Sequence, residues 1–207
     1  MKQLEIDPLT APGAHQAELL RIPSGSARKL EIMDTIEYRT IDKSAWERGP
    51  WDDEPDKKQW RDPSTGLACL IVRGPLGALC GYVGVPSGHP WHGKDYDDCG
   101  TYMPKPEGYE DDWYPRVHGG LTFAKGCGHS SDPAYGICHI PGADQPDDAW
   151  WLGFDCAHCD DYTSMTHTDA YRAQWPSRGQ IYRDQAYVER EVAQLAWQAA
   201  HVATPSQ

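Results

Sequence analysis

The chain has 207 residues and a formal net charge of −12, from 31 acidic and 19 basic side chains. That length supports one well-buried core, and the acidic excess excludes general affinity for phosphate backbones. A local basic pocket for a compact nucleotide, or docking onto a basic partner, remains compatible with it.

Residues 1–30 read as an N-terminal extension, with a short helix at 14–21 set among Pro8, Pro12 and Pro23. One α+β domain is expected over 31–207. Ile36, Tyr38 and Thr40 alternate with Glu37 and Arg39, the period of a half-buried strand. Residues 43–47 suggest a helical turn, and GPWDDEPDKKQW is too charged and broken for a strand until its end.

The turn DPSTG, the run LACLIVR, the turn GPLG and the run ALCGYVGV predict an antiparallel meander. LACLIVR is apolar almost throughout, so cover on both faces is expected. Gly81 and Gly84 in the second run predict a bulge or a close approach by backbone or ligand. Residues 86–115 form a long loop rich in Gly, Pro, Asp and Tyr, the kind of segment that carries function. Strands are expected at 117–123 and 150–156. A helix is expected over 184–202, with Asp184 as its N-cap and Val188, Val192, Leu195, Ala199 and Val202 on its buried stripe. The expected architecture is a mainly antiparallel sheet with long functional loops and this amphipathic helix packed on it.

No apolar run approaches the length of a membrane-spanning helix. MKQLEIDPLT has no apolar leader, and seven cysteines then point to a reducing cytoplasm with free or metal-bound thiols. Nine Trp and 11 Tyr against two Phe favour wet grooves, pockets or interfaces, with filling of a small irregular core as the alternative.

The stretch from His118 to Cys159 holds four of the seven cysteines and four of the nine histidines. Cys127, Cys138, Cys156 and Cys159 form a conceivable zinc set, with His129 or His139 as substitutes, because paired ligands a few residues apart can grip one ion. Buried thiols are the alternative. Redox chemistry at Cys156–Cys159 fits poorly, since Asp160 and Asp161 disfavour a thiolate. If the two strands pair, His118 and Asp155 meet at one end of the sheet with His158 just beyond. These three could form a base with its orienting partner, hold a metal that activates water, or simply tie two strands together. Gly119 and Gly120 would admit a ligand close to the backbone.

Asp52, Asp53, Glu54 and Asp56 lie among Trp46, Trp51 and Trp60, either as a cation or hydroxyl site or as a solvated turn. The loop from His89 to Tyr96 has the composition of a binding loop or an ordinary surface loop. Walker A, G-x-G-x-x-G, H-E-x-x-H and G-x-S-x-G signatures are all absent.

Four blocks carry a resemblance: GPWDDEP at 49–55, LCGYVGV at 79–85, VHGGLTF at 117–123 and WWLGFDCAH at 150–158. They resemble a family of small uncharacterised bacteriophage and prophage accessory proteins, over roughly residues 31–200. The resemblance implies a phage accessory protein in the bacterial cytoplasm and carries no activity with it. Its setting implies counter-defence, by binding a host defence protein or by sequestering or degrading a nucleotide signal.

Three functional expectations follow. The first is a polar, aromatic pocket for a small nucleotide-like ligand or a host protein. His118, Asp155 and His158 would line it, Trp91 and Tyr96 would stack a ring, Asp53 or Asp56 would take hydroxyls, and Arg73 or Lys94 would neutralise a phosphate. The second is a metal-dependent hydrolase with its ion on His118, Asp155 and His158. The third is a structural zinc module presenting an acidic surface.

Overall fold

A computed structural model describes residues 35–98, 115–128, 132–141, 147–164 and 179–202, all within the unit Ile32–Gln207. The expected N-terminal extension, His129 and much of the 86–115 loop lie outside the described residues. Six strands are present: β1 (Ile36–Tyr38), β2 (Lys57–Arg61), β3 (Ala68–Arg73), β4 (Leu79–Val85), β5 (Phe123–Gly126) and β6 (Trp150–Asp155). They form one sheet in the order β1-β2-β3-β4-β6-β5, with every neighbouring pair antiparallel. The helix α1 (Gln185–Ala200) follows. The expected α+β architecture is therefore the observed one. No helix among the described residues is long and apolar enough to cross a membrane.

Alternation along the strands divides the core into two faces. Cys69, Ile71, Leu79, Val83, Leu152 and Phe154 pack beneath Val188, Val192, Leu195, Ala196 and Ala199 of α1. Ala68, Leu70, Tyr82 and Trp151 build the opposite face. The near-continuous apolar run of β3 is thus covered on both sides. Gly81 is the close approach expected from its place in β4. A Cβ there would lie 2.5 Å from Phe154 Cζ and 2.6 Å from Val192 Cγ2, so glycine lets the helix settle on the sheet. Asp184 caps α1 by accepting from Tyr187 N–H at 2.8 Å.

The second face is covered by residues 132–141, and β2 holds them there. Lys57, in the charged run expected to be too broken for a strand until its end, begins β2 and is buried. Its ammonium donates to the carbonyls of Pro133 and Cys138 at 2.8 Å, Gly136 at 3.1 Å and Tyr135 at 3.4 Å. Burial lowers its pKa to about 8. Gln59 accepts from Ile140 N–H and donates back to Ile140 C=O. Charge in this strand is tolerated because the facing loop supplies the acceptors.

The turn expected within 43–47 is present as a single turn closed by Trp46 N–H to Lys43 C=O. One expected element differs. The strand expected at 117–123 begins only at Phe123, because Gly119 and Gly120 both take positive φ, +66° and +87°, and turn the chain at 117–120.

The acidic run after Trp51 is neither a solvated turn nor a ligand site at its buried end. Arg73, its side chain fully buried, reaches Glu54 at 2.9 Å and Asp56 at 3.2 Å. Lys43 reaches Asp56 at 2.7 Å. The second Asp56 oxygen accepts from Thr40 and Ile41 N–H. Glu54 also accepts from Tyr182 OH and from Gln185 N–H at the start of α1. Arg73→Met would strand these carboxylates in the interior and is expected to cost about 3–5 kcal/mol of stability. Urea denaturation measures it, and a loss near zero would refute the assignment of this cluster as a structural tie.

Candidate functional site

The antiparallel pairing of β5 with β6 sets Phe123 opposite Gly153. The segment entering β5 and the segment leaving β6 therefore emerge together at one end of the sheet. Thr122 N–H to Gly153 C=O, at 2.9 Å, carries the contact beyond the strand. His118 lies on the 117–120 turn, and His158 on the turn closed by Asp161 N–H to His158 C=O. A parallel bridge from Asp161 to Ile181 then brings in the chain that leads to α1.

The carboxylate of Asp161 is the meeting point, with a side chain only 1% exposed. Its Oδ2 accepts from His118 Nε2 at 2.7 Å and from His158 N–H at 3.0 Å, and Arg183 Nε donates to Oδ1 at 2.9 Å. His158 Nδ1 lies 3.4 Å from the same Oδ2. That is beyond ordinary hydrogen-bond length, and this buried nitrogen has no hydrogen-bond partner. The two imidazoles meet edge to face, centroids 5.3 Å apart. The His158 ring lies directly over Gly119, where a Cβ would collide with it. The glycine pair thus makes room for an imidazole of the protein itself.

The helix completes the surroundings of His118. Tyr187 OH is 2.9 Å from His118 Nδ1, and Glu191 accepts from His118 N–H at 2.8 Å. Arg183 lies over the Tyr187 ring, 4.9 Å from its centroid. Burial, with Glu191 nearby, raises the Tyr187 phenol, which keeps its proton. The network then assigns the tautomer: Tyr187 donates to Nδ1, and Nε2 carries the proton shared with Asp161. Burial alone would raise the Asp161 carboxyl. Hydrogen bonds from Arg183, His118 and His158 N–H outweigh it and hold the group below the usual carboxylate range.

The sequence pairing of His118 with His158 is therefore realised, but Asp155 is not their partner. Its carboxylate turns back to accept from Thr122 Oγ1 at 2.8 Å and Ala157 N–H at 3.0 Å, fastening the exit of β6. Asp161 takes the place expected of it. Asp161, Arg183, Tyr187 and Glu191 escaped the sequence reading. The available signals were the His158-x-x-Asp161 spacing and the one-turn spacing of Tyr187 and Glu191 on a helix that follows Arg183.

The remaining expected ligand-binding residues do not assemble into one pocket. Trp91 is fully buried in the core beneath α1 and offers no ring face. Asp56 and Arg73 are consumed by the buried ion cluster. Asp53 is exposed, and Tyr96 is 37% exposed. Lys94 uses its carbonyl to accept from Trp150 Nε1 at 2.9 Å.

The four-cysteine zinc set is likewise divided. Cys156 lies in the core, where burial pushes its thiol far up, while Cys159 is exposed. Cys127 and Cys138 are joined in a disulfide. His139 is buried against Trp151, with Nδ1 unpartnered, and burial lowers its pKa. Among the described residues, two other groups of donors converge closely enough to hold a metal ion: His118, His158 and Asp161, and Cys127, Cys138 and Asp147.

Compared with protein-family models, curated proteins and solved structures, the chain finds no match. The functional reading therefore rests on the geometry of these groups.

Because Asp161 is held ionised, its contribution to stability is present above the unfolded carboxyl pKa of about 4 and is lost as pH falls through the lower folded value. Asp161→Asn is expected to be less stable at neutral pH, and its deficit should shrink as the pH is lowered below about 4. Urea denaturation of both proteins across that range checks this. A deficit independent of pH would show that the carboxylate charge is not what binds the segments.

Proposed function

We propose that His118, His158 and Asp161 hold a divalent transition-metal ion of the zinc class, and that the protein is a metal-dependent hydrolase of a small phosphate ester. One observation carries this reading: the orphaned Nδ1 of His158 lies 3.4 Å from the carboxylate oxygen that His118 Nε2 also addresses. An ion between the three atoms would satisfy that nitrogen and replace the proton on His118.

Three protein ligands, two imidazoles and a carboxylate, leave a coordination position for water, which is the pattern of catalytic rather than structural zinc. The neighbours suit the task. Tyr187 orients His118 through its other nitrogen, as outer partners of metal-bound imidazoles do. Arg183 occupies Asp161 Oδ1, so Oδ2, which accepts from His118 Nε2 and His158 N–H, is the oxygen that would face the ion. The His158 side chain is 35% exposed, which supports an approach from solvent.

The ion would lower the pKa of its water to about 7 and supply hydroxide at neutral pH. Attack at phosphorus adds negative charge, and Arg183 and Arg190, both stacked on Tyr187, supply positive charge beside the site. In the phage setting implied by the sequence blocks, the fitting substrate is a nucleotide signal with an exposed phosphodiester. Binding without turnover is less favoured, because the residues expected to form an aromatic pocket are dispersed.

Purified protein is expected to bind zinc and to hydrolyse an activated phosphodiester in a chelator-sensitive way. With the Cys127–Cys138 disulfide formed, His118→Ala and Asp161→Ala should abolish both properties, Tyr187→Phe should weaken zinc affinity by about 10–100-fold, and Asp155→Ala should leave binding intact. Calorimetric zinc titration with parallel turnover assays measures this. Unchanged zinc binding in His118→Ala would remove the metal site, and zinc binding without turnover would remove the hydrolase.

A further inference from the structure

The second donor group lies at the other end of β5. Cys127 directly follows that strand, and Cys138 lies in the segment that covers the sheet face opposite α1. Its position is built by the surrounding fold. The Lys57 ammonium gathers four carbonyls of that segment, including the carbonyl of Cys138 itself. Gln59 clamps Ile140 by both its amide groups, and Gly128 N–H donates to Ile137 C=O. The two cysteines are thereby set 5.0 Å apart at Cα.

Asp147, which precedes β6, brings its Oδ1 to 3.3 Å from Cys127 Sγ and 3.5 Å from Cys138 Sγ. A carboxylate gains nothing from the sulfurs of a disulfide, which carry no proton. Its approach suits the reduced pair, where two sulfurs and an oxygen form a three-donor set. Both cysteines are half-buried and within reach of small reagents. The other described thiols do not compete: Cys69 and Cys156 are buried and Cys80 largely so, with burial raising all three, and Cys159 stands apart and exposed.

We propose that Cys127, Cys138 and Asp147 form a redox-gated site for a soft divalent metal ion such as zinc, separate from the His118 centre. In the reduced state the two thiolates and the carboxylate coordinate the ion, and water completes the shell. The gate is closed by a low-molecular-weight disulfide. One protein thiolate attacks it and releases one small thiolate, leaving a mixed disulfide. The second protein thiolate then attacks the protein sulfur of that mixed disulfide and expels the other small thiolate. One S–S bond breaks and one forms, two electrons pass from the protein thiolates to the small disulfide, and the ion leaves because two of its ligands are gone.

Cobalt(II) titration of the full chain tests this, because thiolate coordination gives a near-ultraviolet charge-transfer band that imidazole and carboxylate ligands do not. Protein reduced with a phosphine is expected to show the band and to take up one equivalent of metal more than protein treated with glutathione disulfide. Cys138→Ser should lose the band, Asp147→Asn should weaken binding at this site by at least about tenfold, and Cys159→Ser should leave the band unchanged. His118→Ala should retain the band even where it loses the other ion, so the two sites fail independently. Absence of the band in reduced wild-type protein, or its persistence in Cys138→Ser, would overturn the proposal. Circular dichroism of each variant verifies that the fold is intact.

Discussion

The carboxylate of Asp161 is the constraint on which this end of the molecule depends. It is buried, and an ionised group removed from water must be paired on every side. Its partners come from three separate stretches of chain: the turn before β5, the turn after β6 and the approach to α1. Moving any one of them would expose a charge to an apolar interior. The same logic fixes the start of the helix, where Glu54 accepts from Gln185 N–H and Asp184 from Tyr187 N–H. Negative groups gathered at a helix N-terminus also meet the positive end of its dipole.

The pairing of β5 with β6 organises both donor groups. His118 and Cys127 flank one strand; Asp147 lies before the other, with His158 and Asp161 beyond it. Antiparallel register then brings His118 to His158 and Asp161 at one end, and Cys127 to Asp147 at the other. A single two-strand ribbon thus presents a nitrogen-and-oxygen set and a sulfur-rich set. Their chemistry differs accordingly, since imidazole and carboxylate are indifferent to thiol oxidants and the cysteine pair is not.

Much of the fold was legible because local pattern and burial agree. The apolar runs of β3, β4 and β6 and the stripe of α1 all appear as expected, and the capping aspartate is Asp184. The misreadings share a cause: the decisive partner was remote in sequence. The run that holds Lys57 is too charged to read as a strand until its end because the acceptors of that ammonium lie some 80 residues on. Arg73 and Asp56 resemble ligand groups in the sequence because the members of their ion cluster come from separate stretches of chain. In the candidate site, the His118–His158 meeting followed from strand pairing, whereas choosing Asp155 over Asp161 required knowing two things. Asp155 is captured by Thr122, 33 residues away in sequence, and a bridge to Ile181 turns Asp161 inward. The loop composition around Trp91 suggests a stacking ring, whereas its indole is buried in the core, where a large aromatic contributes most.

The most direct test of the metal reading is X-ray absorption at the zinc edge on protein with its Cys127–Cys138 disulfide formed and one equivalent of zinc added. A first shell of nitrogen and oxygen at about 2.0–2.2 Å, with imidazole scattering and no sulfur, is expected. A shell containing sulfur at about 2.3 Å, or one of water alone, would contradict it and leave Asp161 as a purely structural tie.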